Sequence, residues 1–189
     1  MAYIWDLEAD GIGSGLRSGE ASMEQSAGGA YLAETVRILS QYKGLADRAV
    51  AQAGPQELFR SLDADSNSIA ILMQHLAGNM RSRWTDFLTT DGEKPDRNRD
   101  AEFEIEAGTT LDQVLARWED GWRRTFAALQ ALGPGDLLRT VTIGEKPYTV
   151  LEAIERAVAH YAYHVGQIVY LAKHLRGGEW RTLSEPRRR

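Results

Sequence analysis

The stretch from Thr149 to Arg176 reads TVLEAIERAVAHYAYHVGQIVYLAKHLR. Thr149 and Glu152 have the three-residue spacing of a capping box, which begins an α-helix, and the Gly177-Gly178 pair is expected to end it. Because the apolar side chains between these signals recur every three, four or seven residues, one face of this helix is predicted to be buried. The apolar positions are Leu151, Ile154, Val158, Tyr161, Val165, Ile168 and Leu175.

Three further runs with the same period precede this helix. They cover residues 31–53, 69–87 and 111–132, and the second run follows a predicted capping cluster, Asp65-Ser66-Asn67. Four helices of about 20–25 residues each would span roughly 30–38 Å, which are the proportions of a four-helix bundle. The sequence therefore predicts an all-α fold, a four-helix bundle in one domain.

The segments between and around these helices complete the predicted organisation. Residues 89–108 are charged and without a period, so they are predicted to form a long connection. Alternating residues on both sides of Gly144-Glu145 predict a short β-hairpin between helices three and four. The predicted divisions are a weakly ordered lead-in (1–28), the bundle (29–176) and a solvated tail (177–189).

The composition excludes several classes of protein. The chain has 189 residues, a net charge of −5, four histidines and no cysteine. Any metal must therefore be held by histidine and carboxylate side chains, and the acidic balance argues against a nucleic-acid partner. The start of the chain is acidic, with Met23 as an alternative first residue, and no apolar run approaches the roughly 18 residues of a membrane span. We expect a cytoplasmic protein that binds neither nucleic acid nor membrane.

Three of the four histidines form a candidate metal site. His160 and His164 lie four residues apart on helix four, so their side chains share one helix face. His75 belongs to the apolar face of helix two, which is expected to point inward. Each histidine alone could be an ordinary core residue, but three neutral imidazoles facing one interior favour a shared ion with an open coordination position. His174 lies on another side of helix four and is expected to stay outside the site.

Polar neighbours of these histidines are candidate substrate or supporting residues. Asn79 and Arg83 follow His75 on the same face of helix two, where Asn79 could orient a ligand and Arg83 could receive an anionic group. The alternative for Arg83 is an ion pair with Asp or Glu at the end of the bundle. Gln167 lies three residues after His164 and could either support that imidazole or contact solvent.

Two further groups of residues are expected to be structural. Trp84, Trp118 and Trp122 are predicted to pack in the core, with a hydrophobic wall for a substrate as the alternative. The alternating acidic residues of the connection could offer carboxylates to a metal, but a solvated acidic loop is the favoured interpretation. These residues are Glu102, Glu104 and Glu106.

Two segments carry a resemblance to a known group of proteins. The string HYAYHVGQI at residues 160–168, with His75 on helix two and a hairpin before helix four, resembles the DinB/YfiT-like superfamily of metal-binding four-helix bundles. The segment HLAGNMRSRWTDFLTTDGEKP at residues 75–95 is similar to one bacterial branch to which no reaction is assigned. The resemblance covers about residues 29–176 and implies a divalent ion, commonly zinc or nickel, held by His75, His160 and His164.

The resemblance also implies a reaction class. Related enzymes transfer or isomerise substrates with mycothiol, bacillithiol or glutathione, and the metal activates the thiol of the cosubstrate. A chain without cysteine is compatible with this chemistry, because the thiol comes from a small molecule that reacts with an electrophilic substrate. A binding or regulatory protein with a structural metal and a metal-assisted hydrolase are the alternatives. A homodimer is expected by analogy.

Overall fold

Helices dominate the computed structural model, which describes residues 26–184. The α-helices are α1 (Ala27–Val50), α2 (Pro55–Leu58), α3 (Ile69–Trp84), α4 (Leu111–Gln130) and α5 (Val150–Arg176). Strands β1 (Thr140–Ile143) and β2 (Lys146–Thr149) lie between α4 and α5, and single 3₁₀ turns form at Asp100–Phe103, Pro134–Asp136 and Gly177–Glu179. The prediction of a mainly helical fold with a hairpin before the last helix is confirmed, and the short helix α2 is an addition to it.

The helix boundaries follow side-chain caps. The predicted capping box is present at the start of α5, where Thr149 accepts from the backbone N–H of Glu152 and the Glu152 carboxylate accepts from that of Thr149. At the start of α3 the cap is Ser68, directly after the predicted cluster. Helix α1 begins at Ala27, two residues before the boundary predicted at residue 29. Most of the predicted lead-in and residues 185–189 of the predicted tail lie outside the described residues.

Four long helices surround the core, and the pairs in most extensive contact are α3 with α4 and α1 with α5. Helices α3 and α4 approach closely at Gly121, where an added Cβ would lie 3.1 Å from the Cα of Ala77. Trp84, Trp118 and Trp122 are buried, as predicted. The part of the chain from 26 to 184 has no helix that is long and apolar enough to cross a lipid bilayer.

Helix α3 ends earlier than its apolar pattern predicts. Its last residue is Trp84, because Thr85 adopts extended backbone and Asp86 has a φ of 49°. Phe87 nevertheless remains buried and packs against Trp84, with ring centroids 4.7 Å apart. The apolar residue at position 87 therefore indicates that the chain stays buried after the helix ends, and not that the helix continues.

The hairpin is attached to the connection that follows α3. Positive φ values at Gly144 and Glu145 form the tight turn between β1 and β2, as the sequence predicted. The Asp91 carboxylate accepts hydrogen bonds of 2.8 Å from the backbone N–H groups of both turn residues. The backbone N–H of Gly92 donates to the carbonyl of Thr142 at 2.7 Å. These contacts fix the start of the connection beside α3.

Candidate metal centre

Three imidazoles from two helices meet in the interior. His75 comes from α3, and His160 and His164 come from adjacent turns of α5. The Nε2 atoms of His75 and His160 are 3.1 Å apart, and the candidate ligand nitrogens of all three residues lie within 4.8 Å of one another. His75 and His164 are buried, and His160 is partly buried. The structure therefore brings together the three histidines that the sequence selected, and they could hold a metal ion.

The separation of the imidazole nitrogens fits coordination of one metal ion. Two nitrogens bound at 2.0–2.1 Å to a tetrahedral ion are about 3.3–3.4 Å apart, close to the observed Nε2 to Nε2 separation. Three imidazoles leave one position of a tetrahedral ion for another ligand. His174 is exposed in the last turn of α5 and lies outside the cluster, as predicted.

A buried carboxylate orients His75, and this corrects the prediction that Glu102 belongs to a solvated loop. Glu102 is only 7% exposed, and its Oε2 accepts a hydrogen bond of 2.9 Å from Nδ1 of His75. Both carboxylate oxygens also accept from the Arg97 guanidinium, at 2.7 and 2.8 Å. Because the carboxylate occupies Nδ1, the Nε2 lone pair of His75 is directed toward the other imidazoles.

The local structure explains how Glu102 reaches this position. The 3₁₀ turn Asp100–Phe103 packs against α3, and the Gln74 side-chain amide donates to the carbonyls of residues 101, 102 and 104. Gly78 leaves the space that the carboxylate fills, since an added Cβ would lie 2.6 Å from the carboxyl carbon of Glu102. The ring of Phe103 stacks on His75, with centroids 4.6 Å apart.

Gln167 supports the third imidazole. Its side-chain oxygen accepts a hydrogen bond of 2.7 Å from Nδ1 of His164. This contact leaves Nε2 as the unprotonated nitrogen of a neutral His164. The sequence left two roles open for Gln167, support of the imidazole or contact with solvent. The structure places its side chain in contact with the imidazole, although the residue is itself exposed.

Electrostatics keep the cluster in the state that metal binding requires. Burial, followed by the charges of the neighbouring imidazoles, lowers the pKa of His160 to about 3. Burial also lowers the pKa of His164 to about 4. For Glu102, burial opposes ionisation, but hydrogen bonds from Arg97 and His75 outweigh it and hold the pKa below its usual value. At neutral pH His160 and His164 are thus neutral donors beside the ionised carboxylate of Glu102.

Asn79 and Arg83 both line a cavity of about 590 Å³ beside the histidines. Asn79 Oδ1 accepts a hydrogen bond of 3.2 Å from the Tyr161 hydroxyl, which itself accepts from the Trp84 indole N–H at 2.9 Å. Arg83 is 7% exposed, and the ion pair considered for it from the sequence is not found among residues 26–184. Both side chains are therefore near the imidazoles, as their spacing on α3 predicts.

Sequence reasoning did not assign Glu102 to the site. Its alternation with Glu104 and Glu106 is typical of an exposed segment, and both of those residues are more accessible than Glu102. The role of Gly78 was equally hidden, because it depends on a carboxylate 24 positions later in the chain. Only the tertiary contact between α3 and the 3₁₀ turn distinguishes this glutamate from its neighbours.

The fold and the site define a mainly helical protein with a buried cluster of three histidines that could hold a metal ion. Residues 26–189 match a protein family described as "Protein of unknown function (DUF1572)". The match covers most of the chain, and the protein belongs to this family. A search of curated proteins and a search of solved structures gave no match.

Proposed function

We propose that the protein binds one divalent metal ion, zinc or nickel, through His75, His160 and His164. We further propose that α1, α3, α4 and α5 form the four-helix bundle of the DinB/YfiT-like superfamily. The contacts of α3 with α4 and of α1 with α5, together with the hairpin before α5, support this architecture. The superfamily resemblance and the purely imidazole donor set favour zinc or nickel over calcium or magnesium, which prefer oxygen ligands.

The observation that carries the proposal is the arrangement of the imidazole nitrogens. Nδ1 of His75 donates to Glu102, and Nδ1 of His164 donates to Gln167. A partner on Nδ1 selects the tautomer whose Nε2 lone pair is available, which is the usual arrangement around metal-binding histidines. Any buried imidazole needs an acceptor for its N–H, but here both acceptors lie on Nδ1, so the Nε2 lone pairs of His75 and His164 are both left for another partner.

The reaction that we propose is attack of a small-molecule thiol on an electrophilic substrate: a carbon–sulfur bond forms, the thiol proton passes to solvent, and the leaving group departs with the electrons of the bond that breaks. When bound in an open three-histidine site, a divalent ion supplies Lewis acidity that lowers the pKa of a thiol or water ligand. The chain itself contains no cysteine, so the nucleophilic sulfur must come from a cosubstrate. Glu102 and Gln167 hold two imidazoles in place, while Phe103 and Tyr163 supply aromatic surface to the adjacent cavity.

Metal binding is tested with protein purified without a polyhistidine tag. We expect about one zinc or nickel ion per chain in the wild type and loss of the ion in His160→Ala. His174→Ala is the matched control, because it removes an exposed histidine from the same helix outside the cluster. Elemental analysis measures the metal content. A wild-type protein without metal, or His160→Ala with undiminished metal, would contradict the proposal.

The reaction is tested by incubating the metal-loaded protein with an electrophile such as 1-chloro-2,4-dinitrobenzene, with and without glutathione, bacillithiol or mycothiol. A transferase gives a rate that depends on the thiol and disappears in His160→Ala. Turnover without thiol indicates a hydrolase. A lower melting temperature after metal removal, with no turnover under any condition, indicates a structural metal. Because the protein has no thiol of its own, thiol consumption can be followed directly with Ellman's reagent.

A further inference from the structure

Arg83 is a buried guanidinium without a carboxylate partner of its own in the part of the chain from 26 to 184. It lies on α3 two turns after His75, on the same side of the helix, and is 7% exposed. Its Nε atom is fully buried and has no hydrogen-bond partner. In the described range 26–184 the side chain also takes part in no ion pair. Burial lowers the pKa of Arg83, yet arginine stays charged in proteins, so a positive charge is held in the interior.

The connection after α3 holds this charge in place. An added Cβ at Gly92 would lie 2.9 Å from Nε of Arg83, so the backbone of the connection closes directly over the side chain. Ser82 fixes that backbone, since its hydroxyl donates to the carbonyl of Gly92 and accepts from the N–H of Lys94, both at 2.9 Å. The fixed backbone therefore restricts the movement of the Arg83 side chain.

The cavity that Arg83 lines is positively charged. Four arginines and one glutamate, Glu93, contribute to its wall. Arg97 is already neutralised by Glu93 and Glu102, with contacts of 2.7–3.0 Å. Arg156 is exposed and stacks on the ring of Tyr148 without a carboxylate partner among the described residues. In a protein with a net charge of −5, an excess of positive charge in one cavity indicates a ligand of opposite charge.

We propose that the cavity beside the three histidines binds a ligand with an oxyanion group, a carboxylate or a phosphate, and that Arg83 is its principal partner. Because Nε is covered by the connection, the two terminal nitrogens of the planar guanidinium are the atoms that can donate parallel hydrogen bonds to such a group. Arg156 adds positive charge at the exposed part of the cavity. This inference rests on the proposed function in one respect, because it assigns the anionic group to the substrate or cosubstrate of the histidine site.

The position of Arg83 has a consequence for the reaction. A ligand held by its anionic end at Arg83 extends into a cavity that His75, His160 and His164 also line. The cavity volume of about 590 Å³ is within the range of small-molecule sites. The favoured substrates or thiols are therefore organic acids or phosphate esters, and neutral analogues of the same size should bind weakly.

Binding is tested by calorimetry on the wild-type chain with succinate, inorganic phosphate and the neutral analogue succinamide. Each titration is performed on metal-free and on metal-loaded protein. We expect one or both anions to bind, succinamide not to bind, and Arg83→Met to weaken anion binding at least about tenfold. The stronger of the two anions distinguishes a carboxylate ligand from a phosphate ligand. Arg81→Met is the matched control, because this exposed arginine on the same helix contacts Asp96 and does not line the cavity.

A thermal melt separates ligand binding from a structural role. If the charge of Arg83 serves to bind an external anion, Arg83→Met removes a buried charge that has no partner in the ligand-free protein. The melting temperature of the ligand-free variant is then expected to rise or to stay unchanged. The anion then raises the melting temperature of the wild type only. A lower melting temperature in Arg83→Met together with no anion binding to the wild type would overturn the inference. Because metal content is measured on the same samples, that failure is distinguishable from failure of the metal proposal.

Discussion

Replacing Gly78 by alanine tests whether Glu102 positions the metal site. The new Cβ would lie 2.6 Å from the carboxyl carbon of Glu102 and 3.0 Å from its Cγ, which is closer than real contacts allow. The carboxylate is the flexible end of its side chain, so it is expected to move away and leave α3 undisturbed. His75 then loses the acceptor on Nδ1, whereas the long Arg97 side chain keeps its contacts with Glu93 and can follow the displaced carboxylate.

Two opposing terms determine the effect on stability. Alanine is favoured over glycine in a helix interior by about 1 kcal/mol. Losing the one hydrogen bond between His75 and the charged carboxylate costs about 1.5–3 kcal/mol. The net loss of about 0.5–2 kcal/mol corresponds to a decrease of roughly 1–8 °C in the melting temperature of a protein of this size. The Gly78→Ala protein is therefore expected to remain folded at room temperature.

Metal affinity should respond more strongly than stability. Removing the hydrogen-bonding partner of a metal-binding histidine typically weakens affinity by about 10–100-fold, or about 1.4–2.7 kcal/mol. Competition with a fluorescent zinc chelator measures this change. Gly166→Ala on α5 is the matched control, because its added Cβ would meet no atom within 4 Å and it gains the same helix propensity. If both variants bind zinc as the wild type does, Glu102 does not position His75 for metal binding.

Three further predictions follow from neighbouring contacts. Glu102→Gln keeps an acceptor for its imidazole but loses the charge, so zinc affinity should fall about tenfold in the same competition assay. Gly92→Ala places a Cβ against Arg83 and should weaken phosphate binding in calorimetry without changing the metal content. Burial opposes ionisation of Asp91, but hydrogen bonds from three backbone N–H groups outweigh burial and lower the pKa of this carboxyl. The ionised carboxylate therefore stabilises the folded protein above the unfolded pKa of about 3.9. This stabilisation is lost as the pH falls through the lower pKa of the folded state. Asp91→Asn should therefore be less stable than the wild type at pH 7, and the difference should shrink in urea unfolding experiments as the pH falls below about 4.

Local signals located most of the fold. The capping box at Thr149 and the apolar period placed α5 within a residue of its observed start, because both signals depend on the helix itself. The same period extended α3 to Phe87, although the helix ends at Trp84. The reason is that burial of an aromatic side chain after a helix end produces the same pattern as another helical turn.

The histidine cluster could be predicted from the sequence because its signals are also local properties of single helices. The spacing of His160 and His164 on one helix and the inward position of His75 on another are local properties. The role of Glu102 could not be predicted from the sequence, because its burial depends on a 3₁₀ turn that folds back onto α3. The Gln74 amide holds that turn through three backbone carbonyls, a contact between residues 27–30 positions apart.

The segment 75–95 contains several determinants of the site, and the structure gives each a physical reason. His75 supplies an imidazole, Gly78 leaves room for the carboxylate that orients it, and Arg83 adds the buried charge. Asp91 and Gly92 attach the end of the segment to the hairpin, and the closure of Gly92 over Arg83 depends on that attachment. A change in the hairpin is therefore expected to affect Arg83 and anion binding more than it affects the imidazoles. The imidazoles are positioned by α3, α5 and the 3₁₀ turn. This separation is why metal content and anion binding can be measured as independent properties of one cavity.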